Sequence, residues 1–140
     1  MSLDPLGAVQ QAIYDRLVTS ANKISYPVFD DVTEDYAGDF VEIQAVSSLD
    51  NSAKSCPNHI CIFFLNCWTI QPQNLLVSQM FNAISQSLTY TDDKTPNPLT
   101  VVGFNVGGIY KTGSQINKQL STSQHKRQGV LELEIHVQEQ

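Results

Sequence analysis

Charge is scarce in this sequence. Asp, Glu, Lys and Arg make up 16% of its 140 residues, against about a quarter in average globular chains. Ser, Thr, Asn and Gln fill the gap, a composition common both where proteins meet proteins and in solvated loops. Basic residues are scarcer than acidic ones, so the net charge is −6 and the pI about 4.8. That balance disfavours general binding to nucleic acid, because phosphate affinity needs clustered cations. No long apolar run exists. The longest, residues 60–65, is far too short to span a bilayer, which takes ~20 residues. The first ten residues hold Asp4 and Pro5 and no apolar core, so no signal peptide is expected. Three cysteines, an odd number without a Cys-x-x-Cys pair, point to a reducing compartment.

The signatures of chemistry are missing too. Gly103, Gly107 and Gly108 fit neither dinucleotide nor P-loop spacing and read as a bulge or hairpin. No Gly-x-Ser-x-Gly occurs, and His59, His125 and His136 stand in three unrelated contexts, unlike a triad. Cys61 and Cys67 fall on one strand face roughly 20 Å apart when extended, too far to share an ion or a disulfide. They read as small buried hydrophobes. The acids between Asp30 and Asp39 do not match the EF-hand ligand pattern. They read as a solvated loop or an acidic docking surface. The expectation is a non-enzyme with no metal and no cofactor.

What is present is a separation of charge. From Lys94 to Val130 there are five cations (Lys94, Lys111, Lys118, Lys126 and Arg127) and no acid, while Asp30, Asp31, Glu34, Asp35 and Asp39 crowd one short stretch. Such asymmetry marks candidate docking segments, so Lys111, Lys118, Lys126, Arg127, Asp30 and Asp31 are the candidate partner contacts.

The elements follow from punctuation and period. Asp4 can cap a helix that Pro5 begins, with Leu6, Val9, Ile13 and Leu17 on one face. Pro27 predicts a short extended piece over 26–29. Residues 40–47 alternate as a half-buried strand, and 50–58 read as a turn or loop. Residues 60–70 are continuously apolar, as in a central strand covered on both faces, with Trp68 packed in the core. A second helix is expected from about Pro72, with Leu76, Val77, Met80, Phe81, Ile84 and Leu88 as its stripe. Residues 99–104 suggest a strand, and 107–108 and 111–113 turns or bulges. Residues 114–128 lack a period and read as a long mobile loop. The last strand is the cleanest: Leu131, Leu133, Ile135 and Val137 alternate with Glu132, Glu134, His136 and Gln138. Together these predict one α+β domain over 1–140, a mainly antiparallel sheet with two helices packed on one face.

Several stretches carry a resemblance. Asp4-Pro5-Leu6, Val9-Gln10, Ala12-Ile13-Tyr14, Arg16-Leu17 and Val28-Phe29-Asp30-Asp31-Val32 resemble the opening of the tail-completion, or tail-terminator, proteins of long-tailed phages. The strand Phe40-Val41-Glu42-Ile43, the strand ending in Trp68, the second helix and the closing strand continue it over nearly the whole chain. Two places depart: Thr69-Ile70-Gln71-Pro72 follows Trp68 where the family has a polar or basic turn, and Gly38-Asp39-Phe40-Val41 lacks the family's proline. The resemblance implies a structural virion subunit assembled in the bacterial host cytoplasm. It would form a homo-oligomeric ring, commonly hexameric, that caps the tail tube protein and presents a surface to the head-connector protein. Membrane and nucleic-acid specificity are not implied. A head-completion or connector adaptor is the neighbouring reading, and a small-molecule binding domain a more distant one.

Alternation in the last strand generates a first prediction. Leu133→Asp places a carboxylate in the core and should cost several kcal/mol, the penalty for uncompensated burial. A wild-type melting temperature for this variant would remove Leu133 from the core.

Overall fold

In the computed structural model of the chain, residues 4–18, 24–29, 38–50, 58–70, 73–88, 101–117 and 127–139 are described. Helix α1 spans Leu6–Val18 and α2 Asn74–Leu88. Strands β1 (Val28–Phe29), β2 (Phe40–Asp50), β3 (Asn58–Thr69), β4 (Phe104–Asn117) and β5 (Arg127–Glu139) form one sheet in the order β1-β2-β3-β5-β4. Only the two-residue β1 runs parallel to its neighbour; the other pairs are antiparallel. The expected α+β architecture is therefore present, with both helices on one face.

Local chemistry explains the helices. The Asp4 carboxylate accepts the Leu6 N–H at 3.1 Å, satisfying one of the donors that every helix start leaves open. Val9, Ala12, Ile13 and Leu17 of α1 are buried, as are Val77, Met80, Phe81, Ile84 and Leu88 of α2. Arg16 Nε donates to the Ser87 carbonyl at 2.7 Å, tying α1 to the last turn of α2, where carbonyls lack intrahelical partners.

Strand parity decides which residues the helices cover. The β3–β5 register pairs Cys61 with Ile135, Phe63 with Leu133, Leu65 with Leu131 and Cys67 with Gly129. Paired residues project to the same face, and these form the core with Val41 and Ile43 of β2. At Gly129 the helix layer comes close. A Cβ there would lie 2.3 Å from Val77 Cγ1 and 2.6 Å from Phe81 Cζ, so the missing side chain is what lets α2 seat on β5.

Several sequence expectations are corrected. Strand β3 does lie between β2 and β5, yet among the described residues only one of its faces is covered by helices. On the other, Ile60, Ile62 and Phe64 are half-buried. Trp68 also lies there, half-buried and stacked on Phe40 at 6.1 Å, rather than in the core. Residues 40–47 continue as strand to Asp50, and α2 begins at Asn74; Pro72 lies outside the described residues. The strand expected over 99–104 starts at Phe104 instead, after a turn in which Gly103 takes φ 85° and Val101 bridges Phe104. The loop expected over 114–128 is strand at both ends, because β4 runs to Asn117 and β5 starts at Arg127; 118–126 lie outside the described residues. The alternation earlier in β4 was hidden by register shifts at Val106/Gly108 and Lys111/Gly113, which are the bulges the glycines foretold.

Gly129 supplies the second prediction. Gly129→Ala should destabilise by about 1–3 kcal/mol through overpacking against α2. Combined with Val77→Ala, it should be less than additive by about 1 kcal/mol in denaturant titration, as for residues in contact. Strict additivity would mean that α2 does not rest on this position.

Candidate functional site

The uncovered face of the sheet is the surface where side chains of several strands converge. Phe40 pairs with Trp68 and Glu42 with Asn66. Phe64 pairs with Glu132 and Ile62 with Glu134, so all of these project away from the helices. Its middle is apolar, built from Ile60, Ile62, Phe64 and Val130, and Leu49 (61% exposed) and Tyr110 (51% exposed) extend it to both sides.

One end of this face carries a hydrogen-bonded ladder that crosses four strands. Asn66 Nδ2 donates to Glu42 Oε1 at 3.2 Å and to Gln44 Oε1 at 3.1 Å. Gln128 Nε2 donates to Asn66 Oδ1 at 3.5 Å, and Asn117 Nδ2 to Gln128 Oε1 at 3.3 Å. Gln115 Nε2 closes the row on Asn117 Oδ1 at 3.0 Å. Asn66 is 4% exposed, and a buried amide without partners would cost ~1–3 kcal/mol; the row satisfies it. Beside the ladder a groove of about 480 Å³ is lined by Phe64, Asn66, Gln115, Gln128, Val130 and Glu132. At the opposite end, His136 Nε2 lies 2.7 Å from Glu134 Oε1, and the Tyr110 ring meets the His136 ring edge-on at 5.0 Å.

The charges of this face have one sign. Glu42, Glu132 and Glu134 project from it. None of the described Lys and Arg residues does. Lys111 pairs with Leu133 and so stands on the helix side, exposed. Arg127 pairs with Thr69 and its Nε donates to Asn74 Oδ1 of α2 at 3.0 Å. Arg16 is in α1. Of the sequence-predicted contacts, then, Lys111 and Arg127 share the helix side near β4 and β5, while Lys118, Lys126, Asp30 and Asp31 lie outside the described residues. The ladder and the open face were missed from sequence. Asn66 within the apolar run of β3 was the available signal, since a buried amide needs partners on neighbouring strands.

The remaining titratable groups sit inside. His59 is buried, edge-on to Phe104 at 6.2 Å, with Nε2 3.8 Å from the Glu139 carboxylate. Burial, with a smaller push from the Asp4 carboxylate, raises the Cys61 thiol from the ordinary 9.0 to about 11. Burial alone raises Cys67 to about 12. Both are free thiols, and so strongly protonated a thiol is a poor nucleophile and metal ligand. Among the described residues no three His, Cys, Asp or Glu side chains converge on a metal position.

Among the described residues this architecture is a two-layer α+β sandwich with one sheet face left open. No protein-family model and no curated protein matches the sequence. Among solved structures, the chain is similar to one from the virion of a native gene transfer agent particle. The two share 20% identity at a TM-score of 0.78, over 98% of this chain and 99% of that one. At that identity the likeness is one of fold, over nearly the whole of both chains.

The thiols give a prediction with a definite sign. Their pKa values rise on folding, so the native state holds these protons more tightly and is the form that ionisation opposes. Stability is unaffected below the ordinary value of 9.0 and falls as pH climbs towards about 11. Cys61→Ala with Cys67→Ala should lower stability at pH 7 but flatten the decline between pH 9 and 11 relative to wild type, measured by urea unfolding. Parallel pH profiles would place the thiols outside the core.

Proposed function

We propose that this chain is a non-enzymatic structural subunit of a phage-like virion. It forms a homo-oligomeric ring, of the hexameric kind, that caps the tail tube and offers the next docking surface to the head connector. The observation that carries this reading is the fold likeness to a virion-derived chain along the full length of both. The open sheet face adds to it. A half-buried apolar strip on an otherwise solvated sheet is what subunits of larger assemblies leave uncovered when separate. Function of this kind is stepwise. Seating on the tube blocks further growth and creates the following site, so affinity and order of binding replace catalysis.

A ring requires a head-to-tail contact in which two different surfaces of the subunit meet. The segregated charges suit that need, with Lys118 and Lys126 of one copy directed towards the acidic stretch that contains Asp30 and Asp31 of the next. Exposed charges mainly steer and speed docking, and physiological salt screens them beyond about 8 Å.

Light scattering at several concentrations should give a native mass that is a fixed multiple of 15.5 kDa, and purified protein should bind isolated tail tips before heads. Binding to heads first would favour a head-completion adaptor instead. Assembly should slow as salt rises and slow several-fold more in Lys118→Glu with Lys126→Glu. Adding Asp30→Lys and Asp31→Lys should partly restore it. Rates indifferent to salt and to the reversals would sink the charge pairing.

A further inference from the structure

The open sheet face and the outer side of α2 lie on opposite sides of the subunit, and we propose that they are the two halves of one head-to-tail contact. The open face of one copy takes the α2 side of a second copy. The inference rests on the ring reading above and adds which surfaces meet.

Three properties of the open face select this occupant. Its size fits, because four strands ~4.8 Å apart and about 12 residues long at ~3.3 Å each present roughly 750 Å², close to the ~800 Å² each partner brings to a stable interface. Its texture fits, with an apolar middle of Ile60, Ile62, Phe64 and Val130 and a rim already ordered by the ladder from Glu42 to Gln115. Ordered side chains lose little further freedom on binding. Its charge decides the orientation. Glu42, Glu132 and Glu134 all project from it, so two open faces stacked on each other would bring like charges together.

The α2 side has the complementary character. Residues Asn74–Leu88 contain no charged residue at all. Outward positions include Gln79 and Asn82, with Leu75 64% exposed. Arg127 of β5 is hydrogen-bonded to Asn74 at the start of this helix, and Lys111 of β4 stands on the same side of the sheet. A neutral amide-rich helix can press on the apolar strip without burying an unpaired charge, while the two cations approach the glutamates. Pairing through the β4 edge is the competing geometry. The bulges at Val106/Gly108 and Lys111/Gly113 count against it, since bulges twist an edge strand out of register with any added strand.

Site-directed cross-linking distinguishes the arrangements. Ser47 is exposed on the open face opposite Ile62, and Gln79 is exposed on α2. In a Cys56→Ser background, Ser47→Cys with Gln79→Cys should link copies into a ladder of multimers under a short thiol cross-linker. Neither substitution alone should give dimers. Glu132→Lys with Glu134→Lys should raise the concentration at the assembly midpoint at least tenfold, and adding Lys111→Glu with Arg127→Glu should recover most of it. Dimers from Ser47→Cys alone would overturn the placement in favour of face-to-face stacking. An oligomer of fixed native mass that neither cross-links nor responds to the reversals would overturn it while leaving the ring intact. A monomer at every concentration would overturn the ring reading as well.

Discussion

The twelve-residue pairing of β3 with β5 brings Cys61, Phe63, Leu65 and Cys67 alongside Ile135, Leu133, Leu131 and Gly129, and the remainder of the molecule is arranged around that layer. These residues are buried because α1 and α2 lie over them. The burial of such side chains contributes ~1.5–3 kcal/mol apiece. Because strand side chains alternate, fixing this register also fixes everything that projects the other way. Glu132, Glu134, Asn66, Gln128 and the apolar strip from Ile60 to Phe64 on the open face are thus a by-product of the same twelve pairings. A slip of one residue would bring Glu132 and Glu134 under the helices and turn Leu131 and Leu133 out, so the core and the opposite face stand or fall together.

The ladder and the core stabilise the sheet by different means. The core acts through non-directional burial, which tolerates small shifts between strands. The ladder acts through geometry: an amide offers two donors and an acceptor in one plane, so Asn66 and Gln128 are satisfied only when β2, β3, β5 and β4 are aligned. Each hydrogen bond adds ~0.5–1.5 kcal/mol net, a modest amount. Its larger effect is to hold the edges of the open face in one arrangement before anything binds.

Much of the fold was legible in the sequence wherever one face of an element is wet and the other dry. The stripes Val9, Ile13, Leu17 and Val77, Met80, Phe81, Ile84, Leu88, and the alternation from Leu131 to Val137, all point where their periodicity says. Legibility failed at two places for two reasons. In β3 the apolar residues on both faces imitated a strand buried within its own domain, although neither described helix lies on the second face. In β4 the two bulges reset the alternation twice within Phe104–Asn117, so a regular strand had no visible period. Sheet order was not legible at all, since it depends on which strands pair rather than on what each contains. The candidate contacts Lys111 and Arg127 were found through their charge, whereas the neutral ladder left no charge signature to find.

Gly129 has a consequence beyond packing. The distance between α2 and the sheet is set where Val77 and Phe81 occupy the space of the absent side chain, so this glycine governs the thickness of the subunit at one end of its helix layer. In an array where each helix layer rests on the next sheet, local thickness becomes taper, and taper accumulates from copy to copy as curvature. The curvature of such an array would then depend partly on a single missing side chain, buried beneath α2 and absent from the surface.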